Sequence, residues 1–257
     1  MSIAIIGGSG FSHLSGFTLH EAHDFNTAYG KPSAPILQGD YAGQPVFFLA
    51  RHGEQHAIQP HQINYRANIA ALAELNVNKV VGLAAVGGIA EDCQPGALIM
   101  PDQILDYTYG RENTFFDQKN DVAHAEFTEP YDAGLRQAFK QAAQIAKVVL
   151  VDRGTYAATQ GPRFETRAEI QRYKNDGATI VGMTAMPEAV LAREKSMAYM
   201  TLASSVNYAA GIQPGVISHD QIHQAYVNAS EKLYAVLPTF LAHANELPVT
   251  VPDLIRP

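Results

Sequence analysis

The sequence predicts an α/β fold: one domain over residues 1–257, with a mixed, largely parallel central β-sheet flanked by helices. Three observations lead there. Short apolar runs alternate with stretches whose apolar residues recur at helical spacing, the pattern of strands joined by crossover helices. No internal repeat and no low-complexity linker divides the 257 residues, a length that one large α/β domain fills. Several of the apolar runs end in a glycine-rich or polar cluster, and in open α/β sheets the ligand crevice lies beyond such strand ends.

In chain order, Ile3–Ile6 is a wholly apolar run feeding Gly7-Gly8-Ser9-Gly10, so it reads as a buried strand and a tight turn. Further strands are expected at Ala34–Leu37 and Pro45–Ala50, the second running into Arg51-His52-Gly53. From Ile63, apolar residues at 67, 69, 70, 72 and 75 predict a helix of about four turns. Lys79–Ala85 and Ala97–Leu105 read as strands. Residues 106–130 are polar and aromatic-rich without helical period, which predicts a long loop of the kind that usually carries function. Asp132 can cap a helix to about Ala146, followed by a long strand over Val148–Thr159. Helix is expected over Glu165–Lys174 and strand over Ala178–Met183. Pro187 fits a first helical turn, with Glu188 near its start and Arg193 and Lys195 near its end, as the helix dipole favours. Met200–Val206 is a strand leading into Asn207. Ser218-His219-Asp220-Gln221 is a capping box opening a long helix through about His243.

Bulk composition excludes several classes. The net charge of −7 leaves no basic excess to neutralise phosphates, so neither nucleic acid nor an anionic membrane is the expected partner. The single cysteine, Cys93, rules out an intrachain disulfide and suits a reducing cytoplasm. Its neighbours Glu91 and Asp92 would raise its thiol pKa, which argues against a nucleophilic role. The start Met-Ser-Ile-Ala-Ile-Ile-Gly-Gly has no basic n-region and no long h-region, so no secretory signal is expected. No apolar run approaches the ~18 residues of a membrane span.

Six strand ends (after Ile6, Ala50, Ala85, Thr159, Met183 and Val206) carry polar or glycine-rich clusters, which points to one composite site. Gly7-Gly8-Ser9-Gly10 suits an anion, since small residues let backbone N–H groups approach. It is not a dinucleotide fingerprint, because His13 falls where the third glycine belongs. It is not a nucleophile elbow either, because Phe11 stands where that motif needs glycine. A plain tight turn remains the alternative. Arg51-His52 offers a bidentate donor and a second donor for phosphate or carboxylate, against the alternative of an Arg paired with an acidic residue. His52, His56 and His61 do not form a metal set, because Pro60 interrupts any helix that could align them and no Cys is nearby. In Gln160–Thr166, Phe164 brings an aromatic face and Glu165 a carboxylate, which together suit a planar heterocycle bearing an N–H. Met183 and Met186 read as core fillers. Asn207, at the end of an apolar run, needs a partner, since an unpaired buried carboxamide costs ~1–3 kcal/mol. The remaining histidines, apart from those at 124 and 219, read as surface or satisfied core residues.

In order, Ile-Ile-Gly-Gly-Ser-Gly at 5–10, Leu-Ala-Arg-His-Gly at 49–53, Asn-Tyr-Arg-Ala-Asn at 64–68, Ala-Val-Gly-Gly at 85–88, Gln-Gly-Pro-Arg-Phe-Glu-Thr at 160–166 and Gly-Met-Thr-Ala-Met-Pro-Glu at 182–188 resemble the trimeric purine nucleoside phosphorylases, most closely the branch that cleaves methylthionucleosides. The resemblance implies a homotrimer with sites shared between subunits, and the cysteine and the start of the sequence make the cytoplasm the expected location. It implies phosphate held by Ser9, Arg51, His52, the Ala85 backbone and Thr184, with ribose over Met183. Phe164 would line the base pocket, and His124 would reach the 5′ end of the neighbouring subunit's ligand. Position 84 commonly carries Thr in the methylthioadenosine enzymes and is Ala84 here, so one phosphate contact would be missing.

Those enzymes also have aspartates at the positions of Asn207 and Ala209, matched to the adenine amino group. Here Glu165 can accept the N1–H of a 6-oxopurine and Asn207 can donate to O6 or N7, and a mismatched buried polar pair discriminates strongly. The expected reaction is therefore phosphorolysis of a 6-oxopurine nucleoside in purine salvage. S-methyl-5′-thioinosine is favoured, with inosine, guanosine and methylthioadenosine as alternatives. For the 5′ group, Ile222 suits a methylthio substituent and His219 a hydroxyl. No metal or cofactor is implied, and phosphate is the co-substrate. A non-catalytic nucleoside sensor is the competing class. A nucleotide-dependent oxidoreductase is disfavoured by the failed glycine fingerprint.

Overall fold

The computed structural model describes residues 2–8, 16–118, 121–214 and 219–256. Along the described chain run β1 (Ser2–Gly7), β2 (Phe17–His23), β3 (Ile36–Tyr41), β4 (Gln44–Ala50), α1 (Tyr65–Glu74), β5 (Val77–Gly88), β6 (Leu98–Ile99) and β7 (Gln103–Asp106). There follow α2 (Ala133–Ile145), β8 (Leu150–Val151), β9 (Thr155–Ala158), α3 (Arg167–Asn175), β10 (Ile180–Gly182), α4 (Ala185–Glu194), β11 (Ala198–Tyr208) and α5 (His219–Glu246). All the strands join one sheet, ordered β2-β3-β4-β1-β5-β10-β9-β7, with β11, β6 and β8 branching off β5. The centre is parallel: β1 pairs with β4 and β5, and β5 pairs with β11 from Lys79 to Gly88.

Strand alternation explains why both faces are covered. Ile3 and Ile5 of β1 pack into the cluster containing Phe139 of α2 and Phe240 of α5, whose rings meet edge-on at 5.2 Å. Ala4 and Ile6 pack into the opposite cluster, with Ile69 and Leu72 of α1 and Ala189 of α4. Strand β11 divides the same way, with Met200 and Leu202 on the first face and Tyr199 and Ala203 on the second. Each large apolar side chain so buried contributes ~1.5–3 kcal/mol. Among the described residues no helix is long and apolar enough to cross a membrane.

The mixed, largely parallel α/β architecture agrees with the sequence, and several boundaries differ. The strands expected over 97–105 and 148–159 are each cut in two, and the two cuts face one another. At the first, Pro101 lacks an N–H. At the second, Gly154 takes φ +138° and its N–H donates to the Asp102 carboxylate at 2.9 Å. The early halves β6 and β8 lie on the β11 branch, and the later halves β7 and β9 on the β10 branch. The strand expected from Ala34 starts instead at Ile36, after Pro35. Helix α1 begins at Tyr65 rather than Ile63, capped by Asn64, whose side chain accepts the Ala67 N–H. Edge strand β2 was not expected, because it is polar, mostly exposed and paired only with β3. The long loop and the Asp132 cap are both present.

Candidate active site

The polar strand ends meet in one cleft of about 600 Å³. Gly8 enters from the end of β1, Arg51 and His52 from β4, and Ala84–Gly87 from β5. Phe164 and Glu165 follow β9, Met183 and Thr184 follow β10, and Val206 and Asn207 come from β11. All six strand-end clusters read from the sequence thus contribute to a single cavity. Ser9 lies outside the described residues.

Arg51 is buried, at 2% exposure. Its Nε and Nη2 donate to the two carboxylate oxygens of Glu188 at 2.6 and 2.7 Å, Nη1 donates to the Leu83 carbonyl at 2.7 Å, and Nη2 also donates to the Ile6 carbonyl at 3.2 Å. Burial works against the charge, but the Glu188 carboxylate more than offsets it and holds Arg51 above the usual guanidinium range. Tyr199 donates its hydroxyl to the same carboxylate at 2.9 Å. A side chain at Gly82 would collide with Tyr199 and Glu188, so the absent Cβ makes room for this pair. The two-nitrogen edge expected to grip an anion is therefore committed to Glu188, and of the five guanidinium N–H bonds one on Nη1 is left for a ligand.

His52 also differs from its expected role as a second donor. Its Nδ1 lies 2.8 Å from the Ile58 carbonyl, which can only accept, so the ring proton is on Nδ1. Burial, then the Arg51 charge and the neighbouring His56 ring, push its pKa down to about 4. The ring is neutral near pH 7, and Nε2 is an acceptor. His56 stands against it with ring centroids 4.5 Å apart. Among the described residues no group of three or more His, Cys, Asp or Glu is placed to hold a metal ion.

At the other end of the cleft, Thr166 caps α3 in a reciprocal box with Glu169, which fixes the backbone just after Phe164 and Glu165. Arg163 donates to both Glu169 oxygens at 2.8 and 2.9 Å and holds the same turn from outside. The Thr159 hydroxyl donates to Glu165 Oε1 at 2.7 Å and so orients that carboxylate. Gly161 has φ +61°, and a Cβ there would sit 2.5 Å from the Met183 sulfur, so glycine lets the motif close against the β10 strand end. Met183 thus lines the cleft, while Met186 is buried in the core as expected. Asn207 donates to the Tyr208 carbonyl at 2.7 Å, and Ala209 is buried in the wall beside it. Thr184 precedes α4, and its hydroxyl makes no capping bond to that helix. Cys93 is buried away from this site, its thiol pushed up to about 12 by burial and by Asp92, in line with the inert role read from sequence.

Of the expected 5′-group residues, Ile222 lines the cleft. His219 opens α5, but its side chain lies outside the description. His124 is exposed and off the cleft, bridged to Ile255 by two backbone bonds of 2.9 Å. Sequence reading missed the α5 wall: Tyr226, Ser230, Leu233 and Tyr234 face the cavity with Ile222. The signal was present, because 222, 226, 230 and 234 fall on one helical stripe.

The Phosphorylase superfamily model matches residues 2–242. The probable S-methyl-5′-thioinosine phosphorylase of Xylella fastidiosa is 50% identical over 216 residues, 84% of this chain and 87% of that protein. The 6-oxopurine nucleoside phosphorylase of Pyrococcus furiosus is 42% identical over 241 residues, 91% of this chain and 90% of that one. Among solved structures, the methylthioadenosine phosphorylase from Schistosoma mansoni in complex with adenine superposes with a TM-score of 0.90 at 30% identity, covering 96% of this chain and 93% of that chain.

Proposed function

The chain belongs to the phosphorylase superfamily, and we propose that it is a pentosyltransferase that phosphorolyses 6-oxopurine nucleosides, S-methyl-5′-thioinosine foremost. The observation that carries this reading is the convergence of the base-facing pair Glu165 and Asn207 with Arg51, His52 and Thr184 in one cleft. In the reaction the C1′–N9 bond breaks and its electron pair passes into the purine, which takes up a proton, while a phosphate oxygen bonds to C1′. The products are hypoxanthine and 5-methylthioribose 1-phosphate. Phosphate would sit among Ser9, the Ala85 backbone, the Thr184 hydroxyl and the one free Nη1 N–H of Arg51, with a phosphate O–H donated to His52 Nε2. Ribose would lie on Met183. The base would stack on Phe164, with Glu165 accepting N1–H and Asn207 donating to O6 or N7, where negative charge develops. Ala209 leaves no second acceptor for an adenine amino group.

The leaving purine accepts the electron pair without a metal or redox group, so phosphate is the only co-substrate in this proposal. The wall from α5 combines Ile222 and Leu233 with the hydroxyls of Tyr226, Ser230 and Tyr234, which supports inosine and guanosine as further substrates. We assign the enzyme to the cytoplasm on the single reduced cysteine, and read it as a homotrimer with His124 serving the neighbouring site.

The test is a panel of methylthioinosine, inosine, guanosine and methylthioadenosine with and without phosphate, run on the native chain and on Asn207→Asp. Phosphate-dependent release of hypoxanthine, weakened by Asn207→Asp, is expected. Release without phosphate would point to a hydrolase, binding without release to a sensor, and faster methylthioadenosine cleavage would overturn the base assignment.

A further inference from the structure

The long segment 106–130 sends one side chain inward that has no part in the reaction as written. Arg111 donates from Nε to Gln160 Oε1 at 3.1 Å, and from Nη2 to the Thr159 and Gln160 carbonyls at 3.1 and 2.9 Å. From Nη1 it donates to the Met183 and Met186 carbonyls at 2.9 and 2.5 Å and to the Tyr65 hydroxyl at 3.2 Å. Its guanidinium also lies 5.4 Å from the centroid of the Tyr65 ring. All five N–H bonds are engaged by these six acceptors, and none of the six is a carboxylate. An ion pair for stability would not use the fork in this way.

Five of the six acceptors, all but the Tyr65 hydroxyl, fall into two groups that the chain separates by more than twenty residues. Thr159 and Gln160 begin the motif that carries Phe164 and Glu165. Met183 and Met186 bracket Thr184 at the end of β10. Met186 departs from helical geometry (φ −117°, ψ 137°) at the kink in α4, and Arg111 accepts the role of partner for its carbonyl. One rigid planar group thus ties together the ends of two adjacent strands, β9 and β10, that feed the cleft, which the point charge of a lysine cannot do.

We propose that Arg111 is a positioning residue that fixes the spacing between the base-recognising motif at 160–166 and the strand end at 183–184, and so aligns purine, C1′ and phosphate. This rests on the phosphorylase reading. In a displacement at C1′, misplacement by about 1 Å costs on the order of a hundredfold in rate, whereas phosphate affinity is shared among several groups, of which only Thr184 lies on a segment that Arg111 holds.

The experiment compares Arg111→Ala and Arg111→Lys with the native chain in steady-state kinetics on methylthioinosine and inosine, with and without added guanidinium at non-denaturing concentration. A fall in kcat on the order of a hundredfold is expected, with any rise in KM for phosphate, through Thr184, well below that fall in kcat. Arg111→Lys should stay impaired, and guanidinium should restore part of the Arg111→Ala rate. Native kcat in either variant, loss through phosphate KM alone, or no guanidinium response in folded Arg111→Ala would overturn the proposal. Should Arg111→Ala not fold, the kcat and KM of Arg111→Lys decide by the same criteria. Should the native chain release no base, the phosphorylase reading fails. Amide exchange then judges Arg111 separately: faster exchange at both 159–166 and 183–187 in Arg111→Lys supports the clamp, and unchanged exchange at either overturns it.

Discussion

Single residues in this cleft hold their roles through partners outside it. Glu188 takes the paired edge of Arg51, and Thr159 orients Glu165. Breaking the buried Arg51–Glu188 pair from one side would leave an uncompensated charge. His52 gives a pH signature. Its pKa is brought to about 4 by burial, then by Arg51 and His56, against an ordinary value of about 6.5 in the unfolded chain. Between those values the unfolded chain binds more protons. The stability contributed by the neutral ring is therefore complete above pH ~6.5 and lost as pH falls through about 4. The melting temperature of the ligand-free protein should drop over that window more steeply than that of His52→Asn, whose amide keeps a donor for the Ile58 carbonyl. Parallel pH profiles would show that His52 does not titrate this way.

At the scale of elements, local signals did much of the work. Asp132 accepts the Leu135 N–H at 2.7 Å as the N-cap of α2, where the sequence predicts it, whereas α3 starts at Arg167 after its Thr166 cap, two residues beyond the expected start at Glu165. Asp132→Ala should lower stability by about 1 kcal/mol, which is about 2–4 °C in melting temperature for a domain of this size. Calorimetry and turnover together check this, since α2 packs on the sheet face away from α1 and α4 and kcat at 25 °C should not change. Elements were misread where local pattern competes with sheet topology. Residues 97–105 and 148–159 look continuous because both halves of each are apolar. Pro101 and Gly154 mark the breaks locally, and the branching of the sheet at β5 gives the two halves different partners. The α5 wall escaped notice because Tyr226, Ser230 and Tyr234 are ordinary helix-surface residues until β11 is placed beside them.

For the whole molecule, two exposed aromatics, one at the cleft and one on the long loop, bear on assembly. Phe164 is 57% exposed although it is the proposed base-stacking ring, and Tyr109 of the long loop is 72% exposed. If the proposed trimer forms, such side chains are the expected places for a neighbouring copy to cover. Sedimentation equilibrium should give a mass near three times the 27.8 kDa of one chain, and a monomer with full activity would remove His124 and the shared site from the reading. By itself the sequence determined the α/β class, the six strand-end clusters and an aromatic and a carboxylate that suit a planar heterocycle, because these follow from local periodicity and side-chain chemistry, while the 6-oxopurine followed from the family resemblance. Tertiary structure decided how those groups are used. It turned the paired edge of Arg51 to Glu188, made His52 an acceptor through Ile58, and set Arg111 across carbonyls from two distant segments. Hydrogen-bond roles depend on which atoms lie within about 3 Å, and that is fixed only when segments far apart in the chain are packed together.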